Sequence, residues 1–387
     1  MADFKALSSF LEEALEHGPV GNGCAVARNG ELLFEEYHGW ADREKGIPAD
    51  ASSVYRQWST TKVAVCTGAM LLWERGKFLL TDPIYEYFPE WKDTMVAETA
   101  EDGTVKLRPP KRPIQVRDCF SMAMGIGYDG QDYTHQVLRQ EREKLVQTVG
   151  DYTLRQDIRA VSAVPIAFDP GTQWLYGFGH ELVAGLIEVI SGKTVGRFLK
   201  EELFEPLGMN STGYHFFGDI RERLVKPYLL GEDGKAEGAD TFQGDERFEP
   251  EARYEAGGAG LFSTVRDYLA LTQMLACGGE YQGRKIMGRK TIDLMRSNQL
   301  NERQLAQFSG SNPYLAGYGY GLGVRTMMDP SAGTNTSVGE FGWTGMMGTY
   351  VAIDPAEKIS LVYMHNLFPN NEAYIHPRIR NIVFGTL

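Results

Sequence analysis

Apolar residues recur at three- and four-residue spacing over residues 63–73 and predict a helix that Gly76 stops. Residues 24–28 and 31–34 are short apolar-rich runs flanking Asn29-Gly30. Both of those turn residues tolerate positive φ, so the pattern predicts a β-hairpin. Upstream, residues 1–15 read as an amphipathic helix. Between about 81 and 225 proline-containing loops join helical patterns over 116–124, 180–191 (closed by Gly192) and 195–203. Residues 226–255 are mostly polar and glycine-containing, and read as a loop or boundary. A tight turn at 257–261 leads to a helix through 275, with Ser263 or Thr264 as its N-cap. Strands are predicted at 321–327, 349–354 and 359–365, the last two as a hairpin, followed by a helix from about 371. Strands at both ends and helices between them predict one sheet built from both termini. That gives an α/β (α+β) class, with residues 1–80 and 255–387 as the sheet domain and 81–254 as an inserted, mainly helical domain.

The composition adds exclusions. The 387 residues carry a net charge of −12 and hold no basic stripe, which argues against nucleic-acid partners and anionic lipid. No apolar run is long enough to cross a membrane and no secretory leader is evident, so the chain is expected to be cytoplasmic. Cys24, Cys66, Cys119 and Cys277 are far apart and read as buried small apolar residues rather than a metal or disulfide framework. No metal or other cofactor is expected. No G-x-S-x-G elbow is present, which counts against an α/β-hydrolase triad.

The candidate chemistry lies at the start of the first long helix. Ser59 and Lys62 stand at i and i+3 in Ser59-Thr60-Thr61-Lys62, so they share a helix face near its N-terminus. There, free N–H groups favour developing negative charge. A serine hydroxyl needs such a neighbouring base before it becomes a useful nucleophile. A second stretch, Asp169-Pro170-Gly171 to Tyr176-Gly177-Phe178, is a turn followed by a tyrosine. A third, Phe341-Gly342-Trp343-Thr344-Gly345, is a glycine-spaced strand edge.

Read in order, these stretches resemble the serine β-lactamase and penicillin-binding-protein superfamily, above all the class C β-lactamases and the family VIII carboxylesterases. The S-x-x-K motif is Ser59-Thr60-Thr61-Lys62, the P-G-x-x-x-x-Y pattern is Pro170 to Tyr176, and Trp343-Thr344-Gly345 stands where the family carries K-T-G, H-T-G or W-G-G. Residues 72–83, 206–209 and 260–264 also fit its pattern, so the resemblance covers nearly the whole chain. It implies a β-lactamase-like fold and an acyl-serine enzyme with Ser59 as nucleophile. Lys62 and Tyr176 would share the proton work, and the backbone N–H groups of Ser59 and Met346 would form the oxyanion hole. Trp58, Trp174, Phe178, Trp343, Thr344, Gly345 and Met347 would bind substrate. Which of Lys62 and Tyr176 is the base stays open. Two departures bear on substrate. Phe178 stands where an asparagine is usual, and Trp343 replaces the cation that would pair with a substrate carboxylate. Both point to a small neutral ester, with water or another alcohol as acyl acceptor. An amidase, D-peptidase or β-lactamase is the second reading, and a non-catalytic penicillin-binding-like module the third. Oligomeric state is not legible.

Overall fold

The computed structural model describes residues 3–387. Met1 and Ala2 of the predicted first helix lie outside the described residues; the rest forms α1 (Lys5–Glu13), which buries Leu7, Phe10 and Leu11. The predicted hairpin follows as β1 (Gly21–Arg28) and β2 (Glu31–Asp42), joined by Asn29 and Gly30 at φ 52° and 84°. β3 (Ile47–Pro48) pairs with β2. The remaining strands of the sheet come from the other end of the chain. They are β4 (Tyr318–Tyr320), β5 (Arg325–Met327), β6 (Phe341–Thr344), β7 (Tyr350–Asp354) and β8 (Ile359–His365), and the spatial order is β4-β5-β6-β7-β8-β1-β2-β3. All pairs in this sheet are antiparallel, and β1 sits between β8 and β2 with Cys24 opposite Tyr363.

Strand alternation sends neighbouring residues to opposite faces, and both faces of this sheet are covered. Cys24, Val26, Tyr350, Ala352, Leu361 and Tyr363 pack against α1 and the C-terminal helix through Leu7, Phe10, Ile375, Ile379 and Val383. Ala25, Ala27, Val351, Ile353, Val362 and Met364 belong instead to the main core, shared with the helices at 61–74 and 265–276. The helix expected at 63–73 is α2 (Thr61–Glu74). It is buried on every side from Thr61 to Leu72, as a helix wedged between two layers must be. One layer is the sheet; the other is α3 (Gly179–Ser191), closed by Gly192 at φ 70°. The same cluster of buried side chains runs from the sheet through α2 into residues such as Phe88, Ile158 and Leu186 of the 81–254 stretch.

Several sequence expectations are corrected. Of the strand predicted at 321–327 only β5 is strand; residues 321–324 form the tight turn that joins it to β4, in which the Gly321 N–H reaches the Val324 carbonyl at 2.7 Å. Gly323 at φ 86° passes so close to α2 that a Cβ there would lie 2.2 Å from Cys66 Sγ. The helix predicted at 116–124 stops at Phe120, because Met122 turns into positive φ. The run at 195–203 is a short helix, Val195–Leu199, that widens into a π-turn over Lys200–Phe204. The 226–255 loop contains a hairpin, Tyr228–Leu230 with Ala236–Gly238, whose other neighbour, Leu367–Phe368, is far away in sequence. The 81–254 stretch also carries a hairpin, Val96–Thr99 with Val105–Arg108, among its helices. The N-cap of α4 (Val265–Ala276) is Thr264, whose hydroxyl accepts from the Asp267 N–H. Cys24, Cys66 and Cys119 are buried free thiols, and Cys277 is partly exposed. Among the described residues no helix is long and apolar enough to cross a membrane.

Candidate active site

Ser59 does not sit in α2 itself. It lies in a single 3-10 turn, Trp58–Thr60, that feeds into it. Trp58 holds a left-handed backbone, φ 48°, immediately before the serine. A non-glycine residue in that region costs about 1–3 kcal/mol and persists only where its surroundings impose it. Here they do. The Gln57 N–H bonds the Leu261 carbonyl at 2.8 Å. The Gln57 carbonyl accepts from the hydroxyls of Thr60 at 2.7 Å and Thr349 at 2.8 Å. Tyr268 of α4 donates to the Thr60 carbonyl.

Lys62, one turn on, is fully buried. Its Nζ donates to Ser59 Oγ at 3.1 Å and to the Gly258 carbonyl at 2.6 Å. It also lies over two aromatic rings, 4.7 Å from the centroid of Tyr176 and 5.1 Å from that of Tyr128. The 257–261 turn predicted from its glycines therefore supplies the carbonyl that aims the lysine. A Cβ on Gly258 would meet Tyr128 Oη at 2.0 Å, so this close approach needs glycine.

Tyr176 is carried by a loop pressed against residues 126–128. The backbone bridge is between Gly177 and Gly127, and a Cβ on Gly177 would fall 2.1 Å from the Ile126 carbonyl oxygen. The Tyr176 hydroxyl accepts a hydrogen bond from Trp343 Nε1 at 3.0 Å, with the two rings 5.6 Å apart. Trp343 projects from β6, whose end is held close to the serine turn. A Cβ on Gly345 would be 2.1 Å from Thr349 Oγ1 and 2.4 Å from the Gln57 carbonyl oxygen. Replacing Gly345 with alanine is therefore expected to push the turn and the strand end apart. A misplacement of this kind is expected to cost roughly tenfold in kcat/KM on an ester substrate, with the thermal midpoint as the control for global damage.

These groups line one cleft of about 670 Å³. It brings together Ser59, Lys62, Tyr176, Trp58, Trp174, Trp343, Thr344, Gly345 and Met346. Phe178 and Met347 are not part of it, which corrects two of the expected lining residues. Phe178 opens α3 and turns inward, where it stacks on Trp91 at 6.4 Å. Met347 lies in the tight turn after β6, fully buried. The Met346 position is on that same turn, where the Gly348 N–H bonds the Gly345 carbonyl at 2.9 Å.

Among the cleft residues that escaped the sequence reading, three bear on the chemistry. Tyr128 donates to Glu181 Oε2 at 3.3 Å, and Glu181 Oε1 accepts the Gly258 N–H at 3.2 Å. Burial pushes the Glu181 carboxyl above the ordinary carboxylate range, while Lys62 and Arg142 pull it back. Burial and the Glu181 carboxylate raise the Tyr128 phenol well above its usual value, so it stays protonated. The third is Glu372, which accepts from Thr344 Oγ1 at 2.7 Å. The available signal for Glu181 was an acid in the first turn of an otherwise apolar helix. The His180 imidazole points away from the cleft, with Nε2 3.1 Å from the Phe120 carbonyl, and burial lowers its pKa to about 3. Among the described residues no three His, Cys, Asp or Glu side chains group as metal ligands.

An antiparallel sheet covered by helices, with a serine and a buried lysine at the foot of the central helix, defines a class of proteins. The Beta-lactamase family model matches residues 7–383, and the chain belongs to that family. Esterase EstB of Burkholderia gladioli is 26% identical over 376 residues, covering 93% of this chain and 89% of EstB. Two solved structures share the fold. EstCE1, described as a hydrolase with promiscuous acyltransferase activity, superposes with a TM-score of 0.81 at 22% identity, covering 98% of each chain. The simvastatin synthase LovD of Aspergillus terreus, unliganded, gives 0.83 at 20% identity over 100% of this chain and 99% of that one.

Proposed function

We propose that this protein is a serine carboxylesterase acting on small neutral esters through an acyl-enzyme on Ser59. The observation that carries this reading is the direct 3.1 Å contact between Lys62 Nζ and Ser59 Oγ, with the lysine buried and aimed by Gly258. Lys62 takes the Ser59 proton while Oγ bonds to the acyl carbon. The resulting oxyanion is held by the backbone N–H groups of Ser59 and Met346. Tyr176, kept in register by the Trp343 N–H, passes a proton to the departing alkoxide and recovers it from the lysine. Water, or a second alcohol, then attacks the acyl carbon and returns Ser59 by the reverse route.

The preference for esters over penicillins and peptides rests on what stands at the third motif. Trp343 presents a neutral N–H, committed to Tyr176, where a lysine would present charge to a carboxylate. The similarity to an esterase over most of the chain supports the same choice. A fluorophosphonate is expected to add one label, found by mass spectrometry on Ser59. A panel of p-nitrophenyl esters is expected to be turned over faster than a chromogenic cephalosporin. Labelling at another serine would sink the nucleophile assignment, and a faster cephalosporin would sink the esterase reading.

A further inference from the structure

Glu372 is the first residue of α5 (Glu372–Gly385) and lines the cleft beside Thr344 and Gly345. An acid in the first turn of a helix ordinarily needs no more explanation than the helix dipole. This one does something else. Its backbone N–H is served by Asn370 Oδ1 at 3.0 Å, and its carboxylate turns away from the helix end to accept the Thr344 hydroxyl. Thr344 has one hydroxyl hydrogen, and the carboxylate is its nearest partner; the Thr349 carbonyl lies 3.2 Å and His376 Nδ1 3.3 Å from the same oxygen. The carboxylate's further partners are neutral, the Asn370 amide at 3.4 Å and the Tyr314 phenol. Its charge is thus not neutralised by a direct ion pair. The Tyr314 phenol, also on the cleft wall, is pushed up by burial and then by the Glu372 carboxylate. Of the cleft's arginines, Arg142 is held bidentate by Asp157 at 3.0 and 2.9 Å, and Arg247 lies over the Tyr254 ring at 4.4 Å.

We propose that Glu372 sets the charge preference of the site: it occupies the Thr344 hydroxyl, rejects substrates that bring a carboxylate to this end of the cleft, and favours those that bring an ammonium group. This rests on the esterase reading above and names the substrate class within it. A carboxylate beside the Tyr314 phenol, in a cleft that Trp343 also lines, is a suitable receptor for a cation, since both charge and ring faces attract it.

The test uses two matched sets of short esters ending in methyl, trimethylammonium or carboxylate. One set carries the group on the acyl chain and the other on the alcohol. In at least one set the wild-type enzyme is expected to favour the cationic over the anionic ester by about tenfold or more in kcat/KM. That ratio should fall as salt rises from low to high concentration. Glu372→Gln keeps an oxygen for Thr344 and removes the charge, and is expected to shrink the ratio by about tenfold. A wild type that handles the anionic ester as well as the cationic one in both sets would overturn the proposal. So would a ratio that Glu372→Gln leaves unmoved. If that variant fails to fold, the wild-type salt series decides alone. Fluorophosphonate labelling of Ser59 and turnover of the methyl esters report the esterase reading separately. Their loss undoes that reading, whereas a flat charge series with both intact undoes only the role of Glu372.

Discussion

Lys62→Met is expected to lower kcat/KM for a p-nitrophenyl ester by roughly 10²- to 10⁴-fold, the range a positioned general base supplies. Methionine fills nearly the same buried volume, so the loss should be chemical rather than structural. The cost to the fold is that the Gly258 carbonyl loses its 2.6 Å donor. An unsatisfied buried carbonyl costs about 1–3 kcal/mol, which a folded domain of this size survives. The rate of fluorophosphonate labelling should fall in parallel with kcat/KM, since both need the Ser59 proton removed. The control is a thermal transition that stays cooperative, with a midpoint lowered by only a few degrees. A loss smaller than tenfold would mean that the base lies elsewhere, and Tyr176 would be the next to consider.

Tyr176→Phe is expected to cost about 10²- to 10³-fold in kcat/KM, from the loss of the proton carrier at the leaving group. Trp343→Phe removes the indole N–H that holds the Tyr176 hydroxyl at 3.0 Å and trims the ring that packs on Tyr176 and Tyr320. A neutral hydrogen bond of this kind is worth about 1 kcal/mol, so that variant should lose roughly five- to tenfold. The order of the two is the informative result. If Trp343→Phe proved as damaging as Tyr176→Phe, the indole would be acting on substrate and not through the tyrosine. Esters with better leaving groups should narrow the Tyr176→Phe deficit, because an alcohol that departs without a proton has less need of the donor.

The frame of the fold was legible because its signals are local. Asn29-Gly30 between two apolar runs can hardly be anything but a hairpin turn, and the spacing of Ser59 and Lys62 survives any small error in where α2 begins. What the chain hid were contacts between distant segments. Phe178 and Trp343 looked alike as aromatic replacements for polar family residues. Yet Phe178 turns into the core against Trp91, while Trp343 hydrogen-bonds the tyrosine. Hydrophobicity is the same in both cases, and only the packing of α3 tells them apart. Glu372 was invisible for a related reason: nothing near it in sequence points to Thr344, and the two meet only because α5 folds back over the end of β6. The hairpin turn inside 321–327 was missed because Gly321 and Gly323 break an apolar run without polar residues to mark a loop.

The position of β1 between β8 and β2 sets the order of events when the chain first emerges from the ribosome. Val26 on the first hairpin must wait for Leu361 before that edge of the sheet is paired. Loop closure over such a separation is slow and comes late. The serine turn depends on the same event. The Gln57 carbonyl is held by Thr349, and its side-chain amide lies 3.4 Å from Met364 Sδ, both contributed by the last fifth of the sequence. No molecule can therefore become active until β7 and β8 have been made, and fragments ending before Thr349 should carry an exposed β1 edge and no competent nucleophile.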